Sequence, residues 1–237
     1  KQTKAGPQWT GKIRTVDDAL LKPLSWRKPQ RIFVNSMSDL FHDDVPEDFI
    51  DRVFAVMAVA KSHTFQILTK RAARMRAYIN DPLRKARINQ AALERFGQGL
   101  WYEAMKSSSP DGTVVTGEAG PAWPLPNVWL GTSVEDQRRA DERIPDLIHT
   151  DAVVRFLSCE PLLGPVDLWG ARYQNPSGGL TGAVTSWGGG VQWVIIGGES
   201  GAGARPCHLI WIYDLLQGCQ AAGVPAFVKQ LGAKPIK

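Results

Sequence analysis

The sequence predicts an α/β fold: a partial β/α (TIM-like) barrel of about six parallel strands, interrupted by two long loop insertions. Three observations carry the prediction. Six short apolar or β-branched runs recur, each followed by a polar or glycine-containing turn and most then by a helix-like stretch, which is the order of βα units. The runs are continuous in apolar character, as strands covered on both faces are. Their starts lie mostly about 25 to 40 residues apart, close to one strand plus its crossover. A doubly wound open sheet obeys the same rules and stands as the competing architecture.

The strands are read at residues 31–36 (RIFVNS), 65–70 (FQILTK), 128–133 (VWLGTS), 153–158 (VVRFLS), 193–198 (WVIIGG) and 226–230 (AFVKQ). Residues 46–61 read as a packing helix. Asp44 is placed to cap it, Pro46 suits its first turn, Glu47 and Asp48 favour its positive end, and Phe49, Ile50, Val53, Phe54 and Met57 make one stripe. Further helices are read at 71–80, 84–105, 135–150 and 209–222. Pro145 should bend or restart the third of these, and Gly223-Val224-Pro225 stops the last ahead of the sixth strand. Residues 107–126 and 170–190, rich in Gly, Pro, Ser and Thr, are the two insertions.

A chain of this length removes roughly 70–75% of its unfolded surface from water, so residues 1–237 can hold together as one domain without metal or disulfide. Cys159, Cys207 and Cys219 are too few and too widely spaced for a disulfide framework or a CxxC-type zinc site, and they point to a reducing, cytoplasmic location. No apolar run approaches the roughly 20 residues that span a bilayer, and no signal-peptide core follows the polar start, so no membrane is implied. The net charge of +5 is mild; it fits an anionic or nucleic-acid partner, or none in particular. Lys1 stands where an initiating methionine is expected, which reads as a piece of a longer polypeptide. Nothing in the residues speaks to oligomeric state.

In β/α barrels the chemistry gathers at the C-terminal strand ends, where the βα loops converge on one mouth. Those ends carry Asn35, Ser36, Ser38 and Asp39; Thr69, Lys70 and Arg71; Thr132, Ser133, Glu135 and Asp136; Ser158, Cys159 and Glu160; Gly197, Gly198 and Glu199; and Lys229 and Gln230. Four acidic ends (Asp39, Glu135, Glu160 and Glu199) with two lysines (Lys70 and Lys229) around one opening suit polar-ligand binding or proton transfer. Bland readings stand beside these. Asp39 also suits a turn, and Glu135 also suits a helix start. Glu160, held extended by Pro161, and Lys70, directly on a strand end, lean towards function.

The glycines of 197–203 let backbone N–H groups approach a ligand, or simply make a tight turn; they match neither a P-loop nor the dinucleotide fingerprint. Eight Lys/Arg against two acids between Lys70 and Arg95 could face nucleic-acid phosphates or line a solvated helix. His42, His63, His149 and His208 lack metal-ligand spacing, and no metal ligand is assigned. Trp26 and Trp187 are candidate stacking surfaces, and Cys159 reads as a small buried residue without a histidine partner.

The segments WRKP at 26–29, IFVNSMSDLF at 32–41, LTKR at 68–71, VWLGTSVED at 128–136, SCEPLLG at 158–164, VIIGGESG at 194–201 and FVKQ at 227–230 resemble a phage-associated protein family of unknown function, similar to reduced radical S-adenosylmethionine enzymes. The likeness runs in order from about Trp9 to Gln230. It implies a partial barrel with an iron–sulfur cluster and S-adenosylmethionine at its mouth. Ser36, Ser38, Asp39, Ser133, Glu135, Glu160 and Glu199 then become candidates for holding the cofactor. The family's three-cysteine motif, normally N-terminal, is absent from this chain, which has no cysteine before Cys159.

The resulting expectation is a radical S-adenosylmethionine-like phage or prophage enzyme, with a small-molecule or nucleic-acid substrate, seen without its cluster-binding segment. Asp39, Lys70, Glu160 and Lys229 are its candidate catalytic residues. Ser36, Ser38, Ser133, Glu135, Gly197, Gly198 and Glu199 are its candidate cofactor-binding residues. The alternatives are a cluster-free barrel binding a nucleotide or nucleic acid without redox chemistry, and a hydrolase or lyase using Glu160 or Glu199 as base.

Overall fold

The structure, a computed structural model, describes residues 2–3, 6–7, 11–35, 37–106, 122–169, 173–174, 180–184 and 190–237. The six apolar runs become β1 (Arg31–Val34), β2 (Thr64–Thr69), β3 (Val128–Ser133), β4 (Val154–Cys159), β5 (Trp193–Gly197) and β6 (Ala226–Gln230). All neighbours pair in parallel, and the order across the sheet, β6-β5-β4-β3-β2-β1, is the order of the sequence. That order decides between the two architectures. A doubly wound sheet reverses at a switch point. Here every crossover steps the same way, so right-handed connections lay the helices on one face and the sheet curls into a half-barrel.

The helices are α1 (Glu47–Val59), α2 (Ala72–Ile79), α3 (Arg84–Lys106), α4 (Gln137–Ile148) and α5 (Leu209–Ala222). Three local expectations are corrected. Asp44 does not cap α1, whose N-cap position is Pro46 with no side-chain cap; the Asp44 N–H instead bonds His42 Nδ1. Gly97, at φ 69° and ψ 168°, breaks α3. α4 runs on through Pro145, which falls in its last turn, where only the ladder bond to Asp141 is lost. Of the insertions, residues 107–121, 170–172, 175–179 and 185–189 lie outside the described residues, as do Ser36 and Trp187.

Register sorts the strand side chains onto two faces. Phe65, Ile67, Val128, Leu130, Leu157, Cys159, Val194 and Ile196 share the helix side, with Ile32 and Val34 at its margin. They form one buried core with Ile50, Val53, Phe54 and Met57 of α1, Ile144 and Leu147 of α4, and Ile212, Leu215 and Cys219 of α5. Each large side chain so buried contributes about 1.5–3 kcal/mol.

The alternate residues face the concave side in rows that cross the strands. One row is Phe33-Gln66-Trp129-Val154, the next Leu68-Gly131-Phe156-Trp193, and the third Ser133-Ser158-Ile195-Phe227. Aromatic rings fill the floor: Phe156 is fully buried against Trp193 with centroids 5.6 Å apart, and Trp193 meets Trp129 edge-on at 6.0 Å. Gly131 makes this possible, because a Cβ there would stand 2.6 Å from the Phe156 ring.

A polar clamp ties the helix layer together. Arg84, 1% exposed, donates to Asp51 (2.7 Å), Glu47 (3.0 Å) and the Tyr78 carbonyl (3.0 Å), and its guanidinium lies 3.5 Å over the Tyr78 ring. The Tyr78 hydroxyl donates to Asp51 at 2.7 Å, so every member of this buried network has a partner.

Candidate functional site at the strand ends

Parallel strands put all six C-terminal ends on one edge of the sheet, the mouth of the half-barrel. Asp39, after β1, accepts four hydrogen bonds. The Phe41 N–H (2.9 Å) and Thr69 hydroxyl (2.7 Å) reach Oδ1, while the Lys70 N–H (3.2 Å) and Arg71 Nη1 (2.9 Å) reach Oδ2. With both oxygens engaged twice, it ties the loop after β1 to the end of β2 and holds Arg71 in place.

Next to it, two cations share one carboxylate. Lys70 Nζ lies 2.5 Å from Glu135 Oε1, and Arg143 Nη1 lies 2.9 Å from Glu135 Oε2. The Glu135 side chain is 10% exposed and that of Lys70 55%, so the acid and Arg143 are fixed while Lys70 can turn. Arg143 also donates to the Ser133 carbonyl (2.9 Å), and its buried Nε has no partner among the described residues. A cavity of about 1030 Å³ opens beside this group. Its apolar wall is the β1 edge and the α1 stripe (Ile32, Val34, Val53, Met57); Asn35, Ser38, Asp39, Lys70 and Arg71 form its polar end.

A second group sits across the mouth. Glu160 Oε1 accepts from Gln230 Nε2 (2.8 Å) and lies 3.1 Å from Lys229 Nζ. The carboxylate rests over Gly197, where a Cβ would come within 3.2 Å of it; a Cβ on Gly198 would stand 2.5 Å from the Leu231 carbonyl. Both glycines therefore admit protein against protein. The loops are cross-tied, Leu163 N–H to the Glu135 carbonyl (2.7 Å) and Leu162 N–H to the Gly197 carbonyl (2.8 Å).

Glu199 stands in a third arrangement. Arg205 grips it with Nε and Nη2 at 2.8 Å each, and donates its backbone N–H at 2.8 Å. These bonds hold the Glu199 carboxyl down to about 2.

The structure thus brings Asp39, Lys70 and Glu135 into one connected group and Glu160 with Lys229 into another, while Glu199 pairs with Arg205. Ser38 lies in the turn after β1, its N–H on the Asn35 carbonyl (3.0 Å). Ser133 lies on the concave face, 4% exposed. Arg143 and Arg205 were not singled out from sequence. Arg143 adjoins the apolar stripe of α4 and turns inward only because α4 packs over β3, a contact no local pattern announces. The basic stretch is largely engaged within the protein. Lys70, Arg71, Arg76, Arg84 and Arg87 pair with acids, and Arg74 donates to the His42 and Val45 carbonyls.

The cysteines do not fit an iron–sulfur cluster. Cys159, Cys207 and Cys219 are buried free thiols in the helix-side core, and burial pushes each thiol up, Cys219 to about 11, so none is poised as a thiolate. Among the described residues, no group of three or more His, Cys, Asp or Glu is placed to hold a metal ion. No helix among them is long and apolar enough to cross a membrane.

Compared with known proteins, the chain matches no curated protein and no solved structure. A family model matches residues 1–236, almost the whole length, so this half-barrel with its charged mouth belongs to the family described as Protein of unknown function (DUF5131).

Proposed function

We propose that the mouth binds S-adenosylmethionine, or a closely related nucleoside carrying a zwitterionic tail, in a protein that works as a phage or prophage enzyme of the radical S-adenosylmethionine-like kind. One observation carries the reading. Cations and anions alternate across the ends of β1 to β3, and Asp39, Lys70 and Arg71 among them line the polar end of a large apolar cavity. A zwitterion suits such an edge, because its carboxylate can take over Lys70 and its ammonium can share Glu135 without leaving a buried charge unpaired. The cavity then receives the nucleoside.

Arg143 holds Glu135 in place, and Asp39 keeps Arg71 at the cavity rim. When bound, S-adenosylmethionine would supply an activated sulfonium as a group donor. The thiols of this sequence supply no cluster, and no step is routed through one. On that ground the version without redox chemistry by this chain's own residues, a barrel binding a nucleoside-type ligand, is the form of the proposal that its cysteines favour.

Calorimetry with S-adenosylmethionine tests it. Binding is expected in the wild type, weakened about tenfold or more in Glu135→Gln and in Lys70→Met, as loss of one charge-assisted bond predicts. Absence of heat with S-adenosylmethionine, or an affinity in both variants unchanged from the wild type, refutes the assignment.

A further inference from the structure

Residues between 11 and 26 wall one side of the cavity beside the mouth, through two short helical turns, Asp17–Leu20 and Lys22–Ser25, and the chain around them. Two ties hold this wall to the scaffold. Arg52 of α1 donates to Asp17 at 2.9 Å. His63 accepts the Gln30 N–H at Nδ1 (3.1 Å), so its Nε2 carries the proton and donates to the Pro23 carbonyl at 2.9 Å. The Trp26 indole, 42% exposed, rests on His63 in a T-shaped contact at 5.9 Å.

The charge of the cavity is one-sided. Asp39 is the single carboxylate among its described lining residues, and Arg71 already pairs with it. Lys70 pairs with Glu135 at the mouth. Arg14 and Lys22 line the opposite wall, and neither side chain has a hydrogen-bond or ion-pair partner among the described residues. A zwitterionic tail held at Lys70 and Glu135 leaves these two cations unanswered. Together they select a dianion: a phosphate monoester carries about −1.5 to −2 at pH 7, where a carboxylate carries one charge. The guanidinium fork of Arg14 suits phosphate oxygens. On the same cavity Trp26 and Phe33 of β1, 39% exposed, offer flat faces for a ring to stack on. The volume of about 1030 Å³ stands at the top of the range of roughly 300–1,000 Å³ that single-ligand pockets occupy, so one nucleoside leaves room beside it.

We infer that the cavity takes a second ligand, a nucleotide, with its phosphate on Arg14 and Lys22 and its base against Trp26. This rests on the reading of the mouth as an S-adenosylmethionine site and names the substrate class of that site. The same chemistry arrives as a free mononucleotide or as the phosphorylated end of a single strand, and the test separates the two.

The four common 5′-mononucleotides, the matching nucleosides, and short 5′-phosphorylated single-stranded oligonucleotides are titrated by calorimetry into the full chain, with and without saturating S-adenosylmethionine. At least one phosphorylated ligand is expected to bind alongside S-adenosylmethionine, about tenfold or more tighter than its unphosphorylated form. Arg14→Gln/Lys22→Gln should remove that advantage, while Trp26→Leu should weaken phosphorylated and unphosphorylated forms by the same factor. Neither variant should change S-adenosylmethionine affinity. Mononucleotide binding marks the free nucleotide as sufficient, whereas binding of oligonucleotides alone marks a strand end; either supports the site. No binding, binding that S-adenosylmethionine displaces, equal affinity with and without the phosphate, or indifference to Arg14 and Lys22 overturns it. In those cases undiminished S-adenosylmethionine binding leaves the mouth reading intact. Phosphate-dependent binding through Arg14 and Lys22 with no S-adenosylmethionine binding keeps the nucleotide site and discards the mouth reading.

Discussion

Replacing Gly131 by alanine probes the concave face at its tightest point. The added Cβ would lie 2.6 to 2.7 Å from three carbons of the Phe156 ring, where carbon pairs prefer about 3.5–4.0 Å. The ring must retreat by about 1 Å, yet it is fully buried and backed by Trp193, itself in contact with Trp129. Overpacking of this kind costs about 1–3 kcal/mol. For a domain of this size that lowers Tm by about 2–12 °C, at about 2–4 °C per kcal/mol. Differential scanning calorimetry reads the shift, and near-UV circular dichroism should register the displaced tryptophans. The double variant Gly131→Ala/Phe156→Leu should recover part of the loss, because the smaller side chain vacates the space. A Gly131→Ala protein with unchanged Tm and unchanged aromatic signal would show that the rows do not pack as described.

Other expectations follow from the same contacts. Asp51→Ala leaves Arg84 with Glu47 and Asp81 but strips its most buried partner and that of the Tyr78 hydroxyl; a loss of about 3 kcal/mol in urea unfolding is expected, and less than 1 would contradict the clamp. Glu199 is held below its usual range, so whatever stability its pairing adds is complete above its unfolded value and fades only as pH falls through about 2. An NMR titration should find its midpoint there, and Arg205→Ala should return it towards the ordinary carboxylate range; a wild-type midpoint near 4 would disprove the grip. Gly198→Ala meets backbone rather than a movable ring, so it should disturb the end of β6 and loosen Lys229 and Gln230 from Glu160, visible as faster amide exchange at 229–232; unchanged exchange would argue against that contact.

The strand runs and the helices were legible because each rests on local facts: apolar continuity, helical periodicity, and turn residues within a few positions of one another. The parallel alternation even placed the charged residues at one edge, since in a parallel sheet every strand ends on the same side. The partners were not legible. Asp39 meets Arg71 and Thr69 across 30 or more residues, Glu160 meets Lys229 across 69, and Gly197 and Gly198 read as ligand-facing glycines until the protein that fills the space beside them is seen. Asp44 lost its capping role because the chain entered α1 at Pro46. Which acids bond to which bases depends on the register of six strands and the seating of α4. Register is a property of the assembled sheet: a slip of one residue would turn every side chain to the other face while leaving each local pattern untouched.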